Sequence, residues 1–232
     1  RREQRLNQEV NIFMRLDHPN IVKFYGISFV FGGEPAMVMQ WCEKGTATTF
    51  ARHQPISDKL QLVKDICAGV EYLHTLEPPI VHGDLKGDNV LISDEGHAML
   101  NDFGLSSKTQ QYGCDTLGGS LRWQAPELLF DSISDGREDE WISSPQSTKS
   151  DVWAFACTTY EVLLGRLPYH DRQLNWAIIQ EIMQGKGPLR PDDTLIHGST
   201  KLLELMVDCW ALRPSDRPCA VVIASRLGGI FL

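Results

Sequence analysis

The chain has 232 residues, and 22 Lys and Arg against 30 Asp and Glu give a net charge of −8. That length supports one or two domains with a sizeable core, and the acidic balance speaks against a general nucleic-acid-binding surface. Six scattered cysteines without a Cys-x-x-Cys pair, and no run of 18 apolar residues, speak against a zinc site, a disulfide framework and a membrane segment.

Residues 1–16 read as a helix, because Leu6, Val10 and Phe13 recur at helical spacing and Pro19 supplies a stop. Two strands follow, Ile21 to Phe31 and Ala36 to Trp41, with Gly32-Gly33 as their turn. Gly45-Thr46 leads into a short helix near 46–53. A longer helix opens at Ser57, a candidate cap. Its wide apolar stripe of Leu60, Val63, Ile66, Cys67, Val70 and Leu73 predicts central packing, and Pro78-Pro79 ends it.

The chain is organised around His82-Gly83-Asp84-Leu85-Lys86-Gly87-Asp88-Asn89. Apolar runs on either side, Ile80-Val81 and Val90-Leu91-Ile92, predict strand, loop, strand. An Asp, a Lys two residues on and an Asn three beyond that suit phosphoryl transfer: one orients a hydroxyl, one neutralises phosphate, one holds a metal. Ala98-Met99-Leu100 leads into Asp102-Phe103-Gly104, a second metal-ligand candidate 13 residues after Asn89. Residues 105–119 are rich in Ser, Thr, Gln and Gly and read as a loop, with Ser106, Ser107, Thr109, Tyr112 and Thr116 as candidate phosphoacceptors.

The segment at about 131–147 is acidic and aperiodic and reads as an exposed insertion. A long apolar helix then runs from Thr148 through Leu164, stopped by Gly165 and Pro168. Further helices are expected at about 172–184, about 199–210 and from near Pro218, with a loose tail at Gly228-Gly229-Ile230-Phe231-Leu232. Neither internal repeats nor coiled-coil heptads occur.

Three motifs carry a resemblance: His82 to Asn89, Asp102-Phe103-Gly104 and Ala125-Pro126-Glu127. In order and spacing they resemble the catalytic loop, metal-binding triplet and activation-segment end of the eukaryotic-type protein kinase domain. The resemblance implies an α+β, protein-kinase-like bilobal fold. Residues 1–41 would be a truncated small lobe of one regulatory helix and two strands, and residues 42–232 a mostly helical large lobe. It implies an ATP-dependent protein kinase that uses Mg2+ and transfers the γ-phosphate of ATP to a hydroxyl of a protein substrate.

Roles follow by the same resemblance. Asp84 would orient the substrate hydroxyl, Lys86 would meet the transferring phosphoryl group, and Asn89 and Asp102 would hold magnesium. Backbone groups of Gln40 and Cys42 would bond adenine, Leu91 would lie beneath it and Met39 would guard the back of its pocket. Glu9 would pair with a phosphate-binding lysine. His82 and Phe103 would stack in a column with Phe13 and Phe24, Asp151 would brace the catalytic loop, and Glu127 would pair with Arg217. Lys86 and Ser120 resemble the Ser/Thr pattern, whereas Leu121-Arg122-Trp123 resembles tyrosine kinases. Together they indicate the tyrosine-kinase-like branch, whose members mostly phosphorylate Ser or Thr.

The chain departs from the family in two ways. Gly83 replaces an arginine that binds activation-segment phosphate, and glycine there is expected to loosen the loop backbone. No Gly-x-Gly-x-x-Gly and no lysine strand precede Glu9. Weak ATP binding and little turnover are therefore expected of these residues alone, and a catalytically impaired pseudokinase acting as a protein-binding scaffold is the competing reading. The scattered cysteines suit a reducing, cytoplasmic setting.

Overall fold

The computed structural model describes residues 10–31, 34–102, 120–129, 146–194 and 199–230. Glu9, Phe103, the candidate phosphoacceptors at 106–116, the Gly32-Gly33 turn and nearly all of the acidic segment lie outside them. The fold is α+β and bilobal, as expected.

The small part holds a helical turn at residues 10–13 and an antiparallel pair, β1 (Phe24–Phe31) and β2 (Glu34–Met39). Phe24 lies opposite Met39 and Ile27 opposite Met37, with a register shift before Gly26, whose φ of 142° suits a residue without Cβ. Ile21 and Val22, expected to begin β1, pair elsewhere. Val22 donates to the Leu100 carbonyl, Leu100 donates to that of Asn20, and the Asn20 side chain donates to that of Ala98. Residues 20–22 therefore strap the hairpin to the large part.

In the large part, a one-turn helix α1 (Ala47–Phe50) precedes α2 (Ile56–Thr75). Val63, Ile66, Cys67, Val70 and Leu73 of the predicted stripe of α2 are buried, Leu60 is half-buried, and Leu62 joins the buried face. Ser57 is not its cap. Pro55 holds that position, and the Ser57 hydroxyl bonds Asp58 inside the first turn. The helix ends at Thr75, ahead of the prolines. Gly69 lets α2 approach closely, because a Cβ there would stand 2.9 Å from both the Asn20 carbonyl and the Leu100 side chain.

Ile80-Val81 forms no strand. The Ile80 amide is given to the Leu73 carbonyl of α2, which removes it from any sheet. Beyond the loop, β3 (Val90–Ile92) pairs antiparallel with β4 (Ala98–Leu100).

The centre of the core is α3 (Thr148–Leu164), buried throughout 150–163. A reciprocal Ser147–Ser150 capping box starts it and Gly165, left-handed at φ 65°, ends it. α4 (Asn175–Met183), α5 (Thr200–Cys209) and α6 (Ala220–Ile230) complete the fold. α6 starts two residues beyond Pro218 and continues through Gly228 and Gly229, where a loose tail was expected. Ala220, Ile223 and Leu227 form one buried stripe that holds it. Among the described residues no helix is long and apolar enough to cross a membrane.

Candidate active site

The loop at 82–89 is positioned from below by the first turn of α3. Asp151 is almost fully buried, and its carboxylate accepts the amides of His82 (2.7 Å) and Gly83 (2.9 Å) and meets His74 Nε2 at 2.9 Å. Gly83 stands at φ 80°, where glycine carries no steric cost, and its carbonyl accepts from Gln146 Nε2 at 2.8 Å. Gly83 is thus pinned on both sides rather than loosened. His82 is fully buried. Desolvation holds its imidazole below the ordinary value of 6.5 against the opposing pull of Asp151, Asp84 and Asp102. The neutral ring accepts the Asp84 amide through Nδ1 at 3.3 Å.

Four of the predicted residues meet around one carboxylate. Asp84 Oδ2 accepts from Lys86 Nζ and from Asn89 Nδ2, each at 2.8 Å, and Asn89 Nδ2 also reaches the Asp84 carbonyl at 2.8 Å. Lys86 Nζ donates in addition to Ser120 Oγ at 2.7 Å. The cluster is open to solvent on one side, with the Asp84 side chain a third exposed.

Asp102 is carried to this cluster by its own backbone. The Asn101 amide donates to the Asn89 carbonyl at 2.9 Å, so the two predicted metal ligands sit on adjoining backbone. Asp102 is exposed and adopts φ 55°, a left-handed conformation that Asp tolerates better than most residues. The Asn89 amide nitrogen is committed to Asp84, which leaves Oδ1 as its available ligand atom. One amide oxygen and one carboxylate fit magnesium, which takes one or two carboxylates and fills its shell with phosphate and water. The described residues contain no group of three or more His, Cys, Asp and Glu arranged to hold a metal, and magnesium beside phosphates does not need one.

Beside the cluster lies a small apolar patch of Val22, Cys42 and Met99, against which Met39 and Leu91 pack. The structure thus brings Met39, Cys42 and Leu91 together. Gln40 fits only in part. Its amide is spent on the Lys23 carbonyl at 2.8 Å and its carbonyl accepts the Cys42 thiol at 3.8 Å, a weak contact that leaves that oxygen a second lone pair for a ligand edge. Burial pushes the Cys42 thiol up, with the Asp94 charge adding to the effect, which makes it a packing group rather than a nucleophile.

Glu127 and Arg217 form the expected pair, with both guanidinium nitrogens 2.7 Å from the carboxylate oxygens. Arg217 also donates to the carbonyls of Ala211 and Lys149 and lies 5.2 Å over the Trp153 ring, so it ties the 126–128 turn to α3. Phe13 and Phe24 pack at 5.9 Å between ring centroids, as the column expectation requires.

The roles of two residues at the site escaped the sequence reading. Arg122 donates to the carbonyls of Pro168, Tyr169 and Arg172 and so fastens the turn that carries Ser120. Glu161 is a buried carboxylate on α3 that receives Thr48 Oγ1 at 2.7 Å, the Gly87 amide at 3.0 Å and Trp123 Nε1 at 3.2 Å. Burial raises its carboxyl above the usual range, against these hydrogen bonds. An acid inside the apolar run of α3 was the available signal.

A loop braced by a helix aspartate, a Lys–Asp–Asn–Ser cluster and an adjoining left-handed aspartate are the arrangement expected of a protein kinase domain. In agreement, the family model for protein tyrosine and serine/threonine kinases matches residues 1–227, and the chain belongs to that family. It is 32% identical over 231 residues to "Kinase suppressor of Ras A" of Caenorhabditis elegans, covering 94% of this chain and 29% of that protein. It is 30% identical over 228 residues to the mitogen-activated protein kinase kinase kinase mkh1 of Cytospora mali, with 95% and 12% covered. The receptor-interacting serine/threonine-protein kinase 3 of Rattus norvegicus is 30% identical over 250 residues, with 99% and 49% covered. The chain therefore spans from about an eighth to about half the length of these relatives.

Proposed function

We propose that this domain transfers the γ-phosphate of ATP to a Ser or Thr hydroxyl of a protein. The observation that carries the reading is the shared contact of Lys86 with Asp84 and Ser120. Asp84 would orient the acceptor hydroxyl and take its proton. Lys86 neutralises charge on the moving phosphoryl group. Asn89 Oδ1 and the Asp102 carboxylate would hold magnesium, which supplies charge neutralisation at the phosphates. Met39, Cys42 and Leu91 form the apolar wall for the base, with the Gln40 carbonyl at its edge. The Lys86–Ser120 contact supports Ser or Thr over Tyr as acceptor, because Ser120 stands where the Ser/Thr enzymes that the chain resembles carry a hydroxyl residue touching this Asp and Lys.

The test is made with magnesium-ATP and a pool of Ser, Thr and Tyr peptides. Label on Ser and Thr supports the reading, and label on Tyr alone overturns the acceptor assignment. A folded protein that binds no nucleotide and labels nothing shifts the assignment to a protein-binding scaffold on a kinase fold.

A further inference from the structure

The catalytic cluster depends on a contact between two separate segments. Lys86 belongs to the 82–89 loop and Ser120 to the turn that continues into Leu121–Trp123. Both segments are attached to the same oxygen on α3. Glu161 Oε2 accepts the Gly87 amide, one residue after Lys86, and the indole of Trp123, whose own amide closes the turn onto the Ser120 carbonyl. Its other oxygen, Oε1, accepts the Thr48 hydroxyl of α1. The three donors come from residues 38, 74 and 113 positions away.

The absence of a side chain at 87 makes this possible. A Cβ on Gly87 would stand 2.5 Å from Thr48 Oγ1 and 2.7 Å from Glu161 Oε1, closer than such atoms approach. Glycine at this position admits the carboxylate beneath the loop.

The geometry points to Glu161 as a positioning residue: it sets the Lys86–Ser120 distance by holding the catalytic loop and the 121–123 turn on one carboxylate, through a space that Gly87 leaves open. Glu161 touches no reacting atom, and its effect passes through Lys86 and Ser120. The inference rests on the kinase reading for its consequence but not for its geometry.

The experiment compares Glu161→Gln, Glu161→Ala and Gly87→Ala in the full-length protein. A glutamine keeps one acceptor oxygen for Gly87 and Trp123 and offers its amide to the Thr48 hydroxyl, which can reverse its role. It is expected to keep kcat within about threefold, while both alanine variants lose about 100-fold in kcat with little change in the KM for ATP, the scale set by small misplacements of reacting groups. Independently of any activity, amide exchange over 86–89 and 120–123 is expected to accelerate together in the alanine variants and not in the glutamine variant. Gly87→Ala keeps the test open should Glu161→Ala fail to fold. Unchanged exchange, or exchange rising in one segment alone, overturns the inference. So does a glutamine variant as impaired as the alanine one. If the unaltered protein transfers no phosphate, the kinase reading fails while the exchange data still decide whether Glu161 couples the two segments.

Discussion

The β1–β2 hairpin and α3 show two different ways of holding a segment. α3 is buried from 150 to 163, and its acids Asp151 and Glu161 each accept hydrogen bonds from loops that carry site residues. Among the described residues the hairpin is a two-stranded sheet on its own, with Tyr25 61% and Phe29 66% exposed. Two strands alone are marginal in water, so the hairpin depends on the 20–22 strap and on the Phe13–Phe24 contact. The difference teaches where precision resides. The side chains proposed for phosphoryl transfer stand on the helix-anchored part, and the apolar wall proposed for the base depends partly on the weakly held one.

This contrast can be broken from either side. The largest effect is expected at Arg217→Ala, which strands Glu127 and removes carbonyl contacts from a buried guanidinium. Urea unfolding is expected to show a loss of about 3–5 kcal/mol, and a loss below about 1 would place the anchor elsewhere.

A second effect concerns pH. Burial lowers the His82 imidazole below 6.5, so the unfolded chain binds a proton more readily than the folded one. Stability contributed by this residue is complete above 6.5 and is lost as pH falls through that value toward the folded one. Unfolding midpoints measured from pH 7.5 down to 5 are expected to decline less steeply in His82→Phe than in the unaltered protein.

Ser147→Ala removes one half of the capping box that starts α3 and is expected to cost about 1 kcal/mol by the same unfolding assay. The smallest effect belongs to the hairpin. Phe29→Ser on its exposed surface is expected to shift stability by no more than about 0.5 kcal/mol. A loss as large as that of Arg217→Ala would mean that the hairpin is held as firmly as α3.

What the sequence made legible follows from distance along the chain. Asp84, Lys86 and Asn89 lie within six residues, so the chemistry proposed for them could be read from their spacing; the structure draws them into one cluster. The stripe of α2 and the apolar run of α3 announced the core. Glu161 stayed hidden because its partners are far away in sequence, and an isolated acid in a helix names none of them. The Ser57 cap, the Ile80-Val81 strand and the loose end at Gly228 were misread because tertiary contacts decided each: Pro55 took the cap position, α2 took the Ile80 amide, and the buried Leu227 kept α6 helical.

The most direct measurement compares magnesium-dependent phosphate transfer from ATP to Ser/Thr peptides by the full-length protein and its Asp84→Asn variant, with folding of both checked by urea unfolding. The account predicts transfer by the unaltered protein and a fall of about 100-fold or more in the variant at unchanged stability. Transfer that survives Asp84→Asn would contradict the assignment of this cluster as the catalytic centre.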